Sequence, residues 1–145
     1  MDAPGHGNKV RPAYLLDTNH VGLAVDRTSL VGQRLVEARL AGDRLGTCLP
    51  VLCEIEAGMR QVRQKVKYRR DLNHLLLQLR LWPIDLKTAR IFGDISVELR
   101  RAGRVLSQVD IMVAALARQM KLTILTTDRD FEAIPDIRTE DWSKT

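Results

Sequence analysis

The sequence predicts an α/β domain built on a mostly parallel sheet of four to five short strands flanked by helices. Three observations carry this. Short apolar runs alternate with longer amphipathic stretches from Ala13 to the C-terminus. Turn chemistry or an acidic residue closes several of the runs, as in Asp17-Thr18-Asn19 and Thr126-Thr127-Asp128. The chain has 145 residues, enough for one hydrophobic core, which gives one domain over residues 13–145 behind a mobile tail over residues 1–12.

In order, Ala13 to Leu16 reads as a buried strand ending in Asp17, and a helix is expected around His20 to Val25. Thr28 or Ser29 caps a second helix carrying Leu30, Leu35, Ala38 and Leu40, which ends at Gly42-Asp43. Leu45 to Leu49 is a second strand. Pro50 suits the first turn of a third helix with an apolar stripe of Val51, Leu52, Ile55, Met59, Val62 and Val66. Basic residues crowd in from Arg60 to Arg70, and Leu72, Leu75, Leu76 and Leu79 mark a further helix. Leu81 to Ile84 is a strand that tolerates Pro83 only at an edge or end. Leu86 to Arg101 is an amphipathic helix closed by Gly103. Val109 to Met120 is apolar on nearly every side and so belongs in the centre. Leu122 to Leu125 is the most strand-like run. Phe131 and Ile134 pack back from a short helix, and Ile137 to Arg138 offers a last strand.

Composition narrows the function. Charged residues make up 28% and the net charge is +5, which favours a polyanionic partner. Aromatic residues are only 4%, which argues against a base-stacking platform; nucleic acid would be held through its phosphates. No apolar run approaches the roughly 20 residues that span a bilayer, and the N-terminus lacks an apolar signal core, so a cytoplasmic protein with no membrane partner is expected. Cys48 and Cys53 read as two buried free thiols rather than a disulfide. With His6, His20 and His74 they show no zinc spacing.

Four acids stand where apolar runs end or helices begin: Asp17, Glu54, Asp110 and Asp128. Carboxylates avoid cores, and if the fold gathers these four, their repulsion calls for a cation. Each also has a bland reading. Asp17 is good turn chemistry. Glu54 and Glu56 lie equally far to either side of Ile55 at about 100° per residue, so helix geometry does not choose between them. Gly58, one turn after Glu54, hints at another backbone passing close on that flank. Ser107 to Asp110 resembles a capping box. Asp128 can start a helix, and Asp130 competes with it. In a parallel sheet ligands sit beyond the carboxyl ends of the strands, so Asp17 and Asp128 share one edge.

Taken together, Leu15-Leu16-Asp17-Thr18-Asn19, Glu54-Ile55-Glu56-Ala57-Gly58, the run from Asp110 to Ala117 and Leu125-Thr126-Thr127-Asp128-Arg129-Asp130-Phe131 resemble, in order, the four motifs of PIN-domain proteins. The short single-domain form resembles the VapC-type toxins. The resemblance implies a PIN-like three-layer fold and an acidic pocket of Asp17, Glu54, Asp110 and Asp128. Thr18, Asn19 and Thr126 would support the pocket, with Asp130 as rival for the fourth position. It also implies endonucleolytic RNA cleavage leaving a 5′-phosphate, a homodimer and a cognate antitoxin, with the helices around Val51 to Leu79 as contact surface.

Carboxylates without histidine or thiolate suit one or two Mg²⁺ or Mn²⁺ ions. Asp17 and Asp110 are the expected direct ligands, with Glu54 as base or water-positioning group. Arg60 and Arg63, or Arg100, Arg101 and Arg104, are the candidate RNA contacts. Two rivals are weaker. An aspartyl phosphotransferase would want an aspartate where Asn19 stands. An idle nucleic-acid-binding or scaffold module with the same fold would not need all four acids.

Overall fold

The computed structural model describes residues 10–145. Five parallel strands form one sheet in the order β3-β2-β1-β4-β5: β1 Ala13–Leu16, β2 Arg44–Thr47, β3 Arg80–Leu81, β4 Thr123–Leu125 and β5 Thr139–Glu140. Six helices flank it: α1 Thr18–Ala24, α2 Leu30–Leu40, α3 Leu49–Gly58, α4 Lys65–Leu76, α5 Leu86–Arg101 and α6 Gln108–Met120. The chain builds outward from β1 through β2 to β3, then returns to the other side of β1 with β4. The crossovers therefore diverge between β1 and β4, the switch point at which parallel sheets open a crevice.

The core lies where the alternation puts it. Leu15, Leu16, Ile124 and Leu125 are fully buried on the two central strands. Val113 to Leu116 show no exposure either, as a helix apolar on nearly every side requires. Local signals start the helices. Asp17 caps α1, Ser29 Oγ accepts from Gly32 N at 3.0 Å to cap α2, Pro50 stands at the start of α3, and Asp85 with Thr88 forms a reciprocal capping box on α5. Gly46 has a packing reason. A Cβ there would come within 2.6 Å of Arg80 O, in the space where the Trp82 indole donates Nε1–H to Tyr14 O at 3.2 Å.

Several boundaries differ from the sequence reading, each for a physical cause. Asp17 caps directly, so α1 begins at Thr18 rather than near His20. Strand β2 stops at Thr47, because Leu49 already belongs to α3. Pro83 has no N–H to offer, and β3 ends at Leu81 with Trp82 N making the last bond to Thr47 O at 2.8 Å. The last strand is Thr139–Glu140 instead of Ile137–Arg138. The stripe from Val51 to Val66 does not run on one helix. A 3-10 turn over Met59–Gln61 breaks it, and Val66 is left 87% exposed on α4. Leu79 falls beyond α4. Cys48 is buried as expected, but Cys53 is exposed; both are free thiols. The tail expected over residues 1–12 lies, through residue 9, outside the described residues. Of its last three, Arg11 bonds Asp43 at 2.8 Å and Pro12 O accepts from Arg44 N at 2.8 Å. Among the described residues no helix is long and apolar enough to cross a membrane.

Candidate active site

Asp17 leaves the central strand at the switch point. Its backbone N–H donates to Leu125 O at 3.1 Å, which ties the ends of β1 and β4 together. Its Oδ1 accepts from His20 N at 2.9 Å as the N-cap of α1, so its local role is to cap a helix that already contains Thr18 and Asn19 rather than to form a plain turn. The carboxylate is almost fully buried. Burial pushes its pKa above the usual 3.8; the Thr126 side chain and the His20 N–H pull it back, and the charges of Asp110 and Asp128 push it up again.

Asp110 arrives on the first turn of α6, where Ser107 Oγ accepts its N–H at 3.1 Å. Burial again raises its pKa first. Ser107 opposes this, and Asp128, Glu54 and Asp130 add to it. Asp128 follows β4. Its N–H donates to Thr126 Oγ1 at 2.9 Å, and its Oδ1 accepts from Asp130 N at 2.8 Å to cap a 3-10 turn over Arg129–Ala133. Asp128 acts on both Asp17 and Asp110, whereas exposed Asp130 acts on Asp110 alone and least.

The two glutamates of α3 part company. Thr18 Oγ1 donates to Glu54 Oε1, which links the start of α1 to α3. Glu56 turns to α4 and pairs with Arg69 at 2.8 Å. Gly58 is not the reason for Glu54. It is the last residue of α3, and a Cβ there would meet open space. Among the supporting groups, Thr18 and Thr126 contact acids of the cluster, and Asn19 Nδ2 donates to Thr127 Oγ1 at 3.3 Å.

Residues 17, 54, 110 and 128 thus come from four separated segments to one edge of the sheet, and among the described residues no lysine or arginine pairs with any of them. No three carboxylate, imidazole or thiolate groups there stand close enough to close a coordination shell unaided. That spacing agrees with the raised pKa values, because repulsion acts well beyond ligand distance. Mg²⁺ keeps several waters and needs no tight protein cage, so this all-oxygen, cation-deficient donor set fits a hard divalent ion. The Cys48 thiol, pushed up to about 11 chiefly by burial, stays protonated and is no ligand.

Arg60, Arg63, Arg100, Arg101 and Arg104 are all exposed and make no ion pair among the described residues. Gly103, at φ +66°, turns the chain after α5 and carries Arg104 into the loop that leads to Asp110. A concavity of about 450 Å³ lies away from the acids, with Val25, Val62, Lys67, Tyr68, Asp71 and His74 among its walls.

The sequence reading missed the group behind Asp17. The imidazole of His20 is fully buried, and its Nε2 accepts from Trp142 N at 3.1 Å. Only its place beside Val21 and Ala24 on the inner face of α1 hinted at this. Nothing local pointed to Trp142, which lies 122 residues away.

The family model described as "PIN domain" matches residues 14–137. "Ribonuclease VapC2" of Rickettsia felis is 24% identical over 132 residues, covering 90% of this chain and 98% of that protein. Among solved structures, the VapBC2 complex of R. felis bound to a promoter DNA fragment contains a chain of similar fold, with a TM-score of 0.81 at 22% identity, covering 90% of this chain and 98% of that one. DNA-bound VapBC of Salmonella typhimurium gives 0.78 at 26% identity, with the same 90% and 98% coverage.

Proposed function

The chain belongs to the PIN-domain family, and from that premise we propose that it is a divalent-metal-dependent endoribonuclease acting as the toxin of a toxin–antitoxin pair. The observation that carries the chemistry is the uncompensated acidic edge: Asp17 and Asp110 are both held above the normal carboxylate range by burial and by neighbouring acids. Clustered carboxylates with perturbed pKa values mark catalytic sites, and an all-carboxylate set marks one that works with Mg²⁺ or Mn²⁺.

Asp17 and Asp110 would hold the ion, with Asp128 completing the site. When bound, such an ion supplies Lewis acidity that polarises the phosphoryl group and makes water a better nucleophile. The protein's own groups do the rest. Asp17 is fixed by its cap bond to His20 N, and the positive end of α6 helps keep Asp110 ionised. Glu54, exposed and held by the Thr18 hydroxyl, can take the proton of the attacking water. Arg100, Arg101 and Arg104, just ahead of Asp110, offset RNA phosphate charge and steer the strand, with Arg60 and Arg63 as a second contact.

The antitoxin would cover the helical side around α4, where Val66 and Leu77 are 87% and 84% exposed, and would present a cation to the acids. A homodimer would complete the assembly.

The test is cleavage of mixed cellular RNA with Mg²⁺ or Mn²⁺ by the wild type, Asp17→Asn and Asp110→Asn. Cutting that either substitution or EDTA abolishes supports the reading. Cutting that survives all three sinks it, and RNA binding without cutting under any metal makes the protein an idle binding module.

A further inference from the structure

Behind the acidic edge, the C-terminal segment is latched onto α1 through one side chain. Trp142 N–H donates to His20 Nε2 at 3.1 Å, and the Trp142 ring meets Tyr14 of β1 edge-on at 4.9 Å. A ring nitrogen that accepts an N–H bond carries no proton, so in the neutral imidazole the proton sits on Nδ1. That Nδ1 is buried and has no hydrogen-bond partner among the described residues. Asp17 Oδ1 stands 3.8 Å from it. On the other side, Asp141 Oδ1 is 3.8 Å from Nε2 and is already bonded by Ser143 N at 2.9 Å. Among the described residues the carboxylate that faces the buried Nδ1–H is therefore Asp17, at 3.8 Å, about 0.6 to 1.1 Å beyond ordinary bonding distance.

We infer that His20 is a positioning residue for Asp17: with its tautomer set by the Trp142 N–H, it offers Nδ1–H to Oδ1 and so orients the carboxylate for the ion. The inference rests on the proposed metal site. Asp17 Oδ1 is then held from one side by the backbone N–H of His20 and from the same residue's ring, which leaves the other oxygen free of the α1 cap. Partners of ligating carboxylates are worth about 10–100-fold in metal affinity. The last residues of the chain, with no acid of the cluster among them, thereby act on the site.

The two halves of the imidazole separate by substitution. His20→Asn keeps an N–H donor near Nδ1 and loses the acceptor for Trp142. His20→Gln keeps an acceptor near Nε2 and loses the donor toward Asp17. Mn²⁺ binding to the free full-length protein is measured by calorimetry, with thermal melting alongside. His20→Gln is expected to weaken Mn²⁺ binding about 10–100-fold, whereas His20→Asn, though less stable, keeps affinity within about threefold. Equal Mn²⁺ affinity in wild type and His20→Gln, with Asp17→Asn still abolishing binding, overturns the inference and leaves the metal site standing. Absence of Mn²⁺ binding by the wild type removes both. Should a variant fail to fold, ¹⁵N resonances of the wild-type ring decide. A protonated Nδ1 that shifts on Mg²⁺ addition in wild type but not in Asp17→Asn supports the assignment, and a protonated Nε2 overturns it.

Discussion

Where α5, α6 and the loop before β5 meet, Glu98 and Asp136 close on Arg118 with four bonds of 2.7–2.9 Å. At the carboxyl edge of the sheet, no lysine or arginine among the described residues pairs with Asp17, Glu54, Asp110 or Asp128. Both places collect acids from distant parts of the chain, but their electrostatics are opposite. Arg118 pulls Glu98 and Asp136 below their ordinary values, chiefly through side-chain hydrogen bonds, and is itself shifted upward. Burial and mutual repulsion push Asp17 and Asp110 above theirs. The first cluster contains its own counter-charge and joins α5 to α6. The second has no such counter-charge among the described residues, which on the proposed metal-site reading is how it differs from a structural ion pair.

The largest effect should come from neutralising the open cluster. Asp110→Asn is expected to lower RNA cleavage by about a hundredfold or more, the scale of a lost electrostatic or acid–base contribution. Its metal-free melting temperature should rise at neutral pH, by about 3 °C for about 1 kcal/mol of relieved repulsion. Melting curves and cleavage rates on the same variant check this, and a fall in both would erase the contrast.

Adding the missing charge comes next. Mg²⁺ or Mn²⁺ at about 100 times its Kd should stabilise the protein by about 2.7 kcal/mol. Arg118→Ala should show the same increment, since it leaves the open cluster intact. A metal-induced shift that persists in Asp17→Asn would place the ion elsewhere.

Arg118→Ala itself should cost about 1–2 kcal/mol by denaturant unfolding, because it strands two carboxylates whose partial exposure limits the loss. Mn²⁺ affinity should not change.

The smallest effect is in the pH profile of the metal-free protein. Asp17 and Asp110 have folded pKa values above the ordinary 3.8, so the folded state retains protons that the unfolded chain has released. Their contribution to stability is greatest below 3.8 and declines as pH rises through the raised values. Glu98 and Asp136 lie below their ordinary 4.5 and 3.8, so their contribution is present above those values and lost as pH falls through the lowered ones. Melting temperature against pH for wild type and Asp110→Asn should show the first slope weaken in the variant, while Arg118→Ala should flatten the second.

How much was legible follows from the range over which each feature is decided. The buried strands before Asp17 and before Thr126 stand out because short, mostly apolar runs bounded by polar turn residues have few alternatives near a core. The apolar helix after Asp110 stands out because its periodicity leaves almost no polar face. The stripe from Val51 to Val66 misled, since a spacing rule assumes one continuous helix and the 3-10 turn at Met59 resets the phase.

By itself the sequence determined the alternation of strand and helix, the central place of α6 and the acids at strand ends and helix starts, since all of these follow from neighbours within a few residues. Helix geometry left Glu54 and Glu56 equivalent and the motif resemblance preferred Glu54; only the tertiary structure gave them different partners, Thr18 to one and Arg69 to the other. Only it brought Trp142 to His20 behind Asp17. Those choices depend on contacts between residues far apart in the chain, and no local pattern of polarity encodes which distant group will arrive.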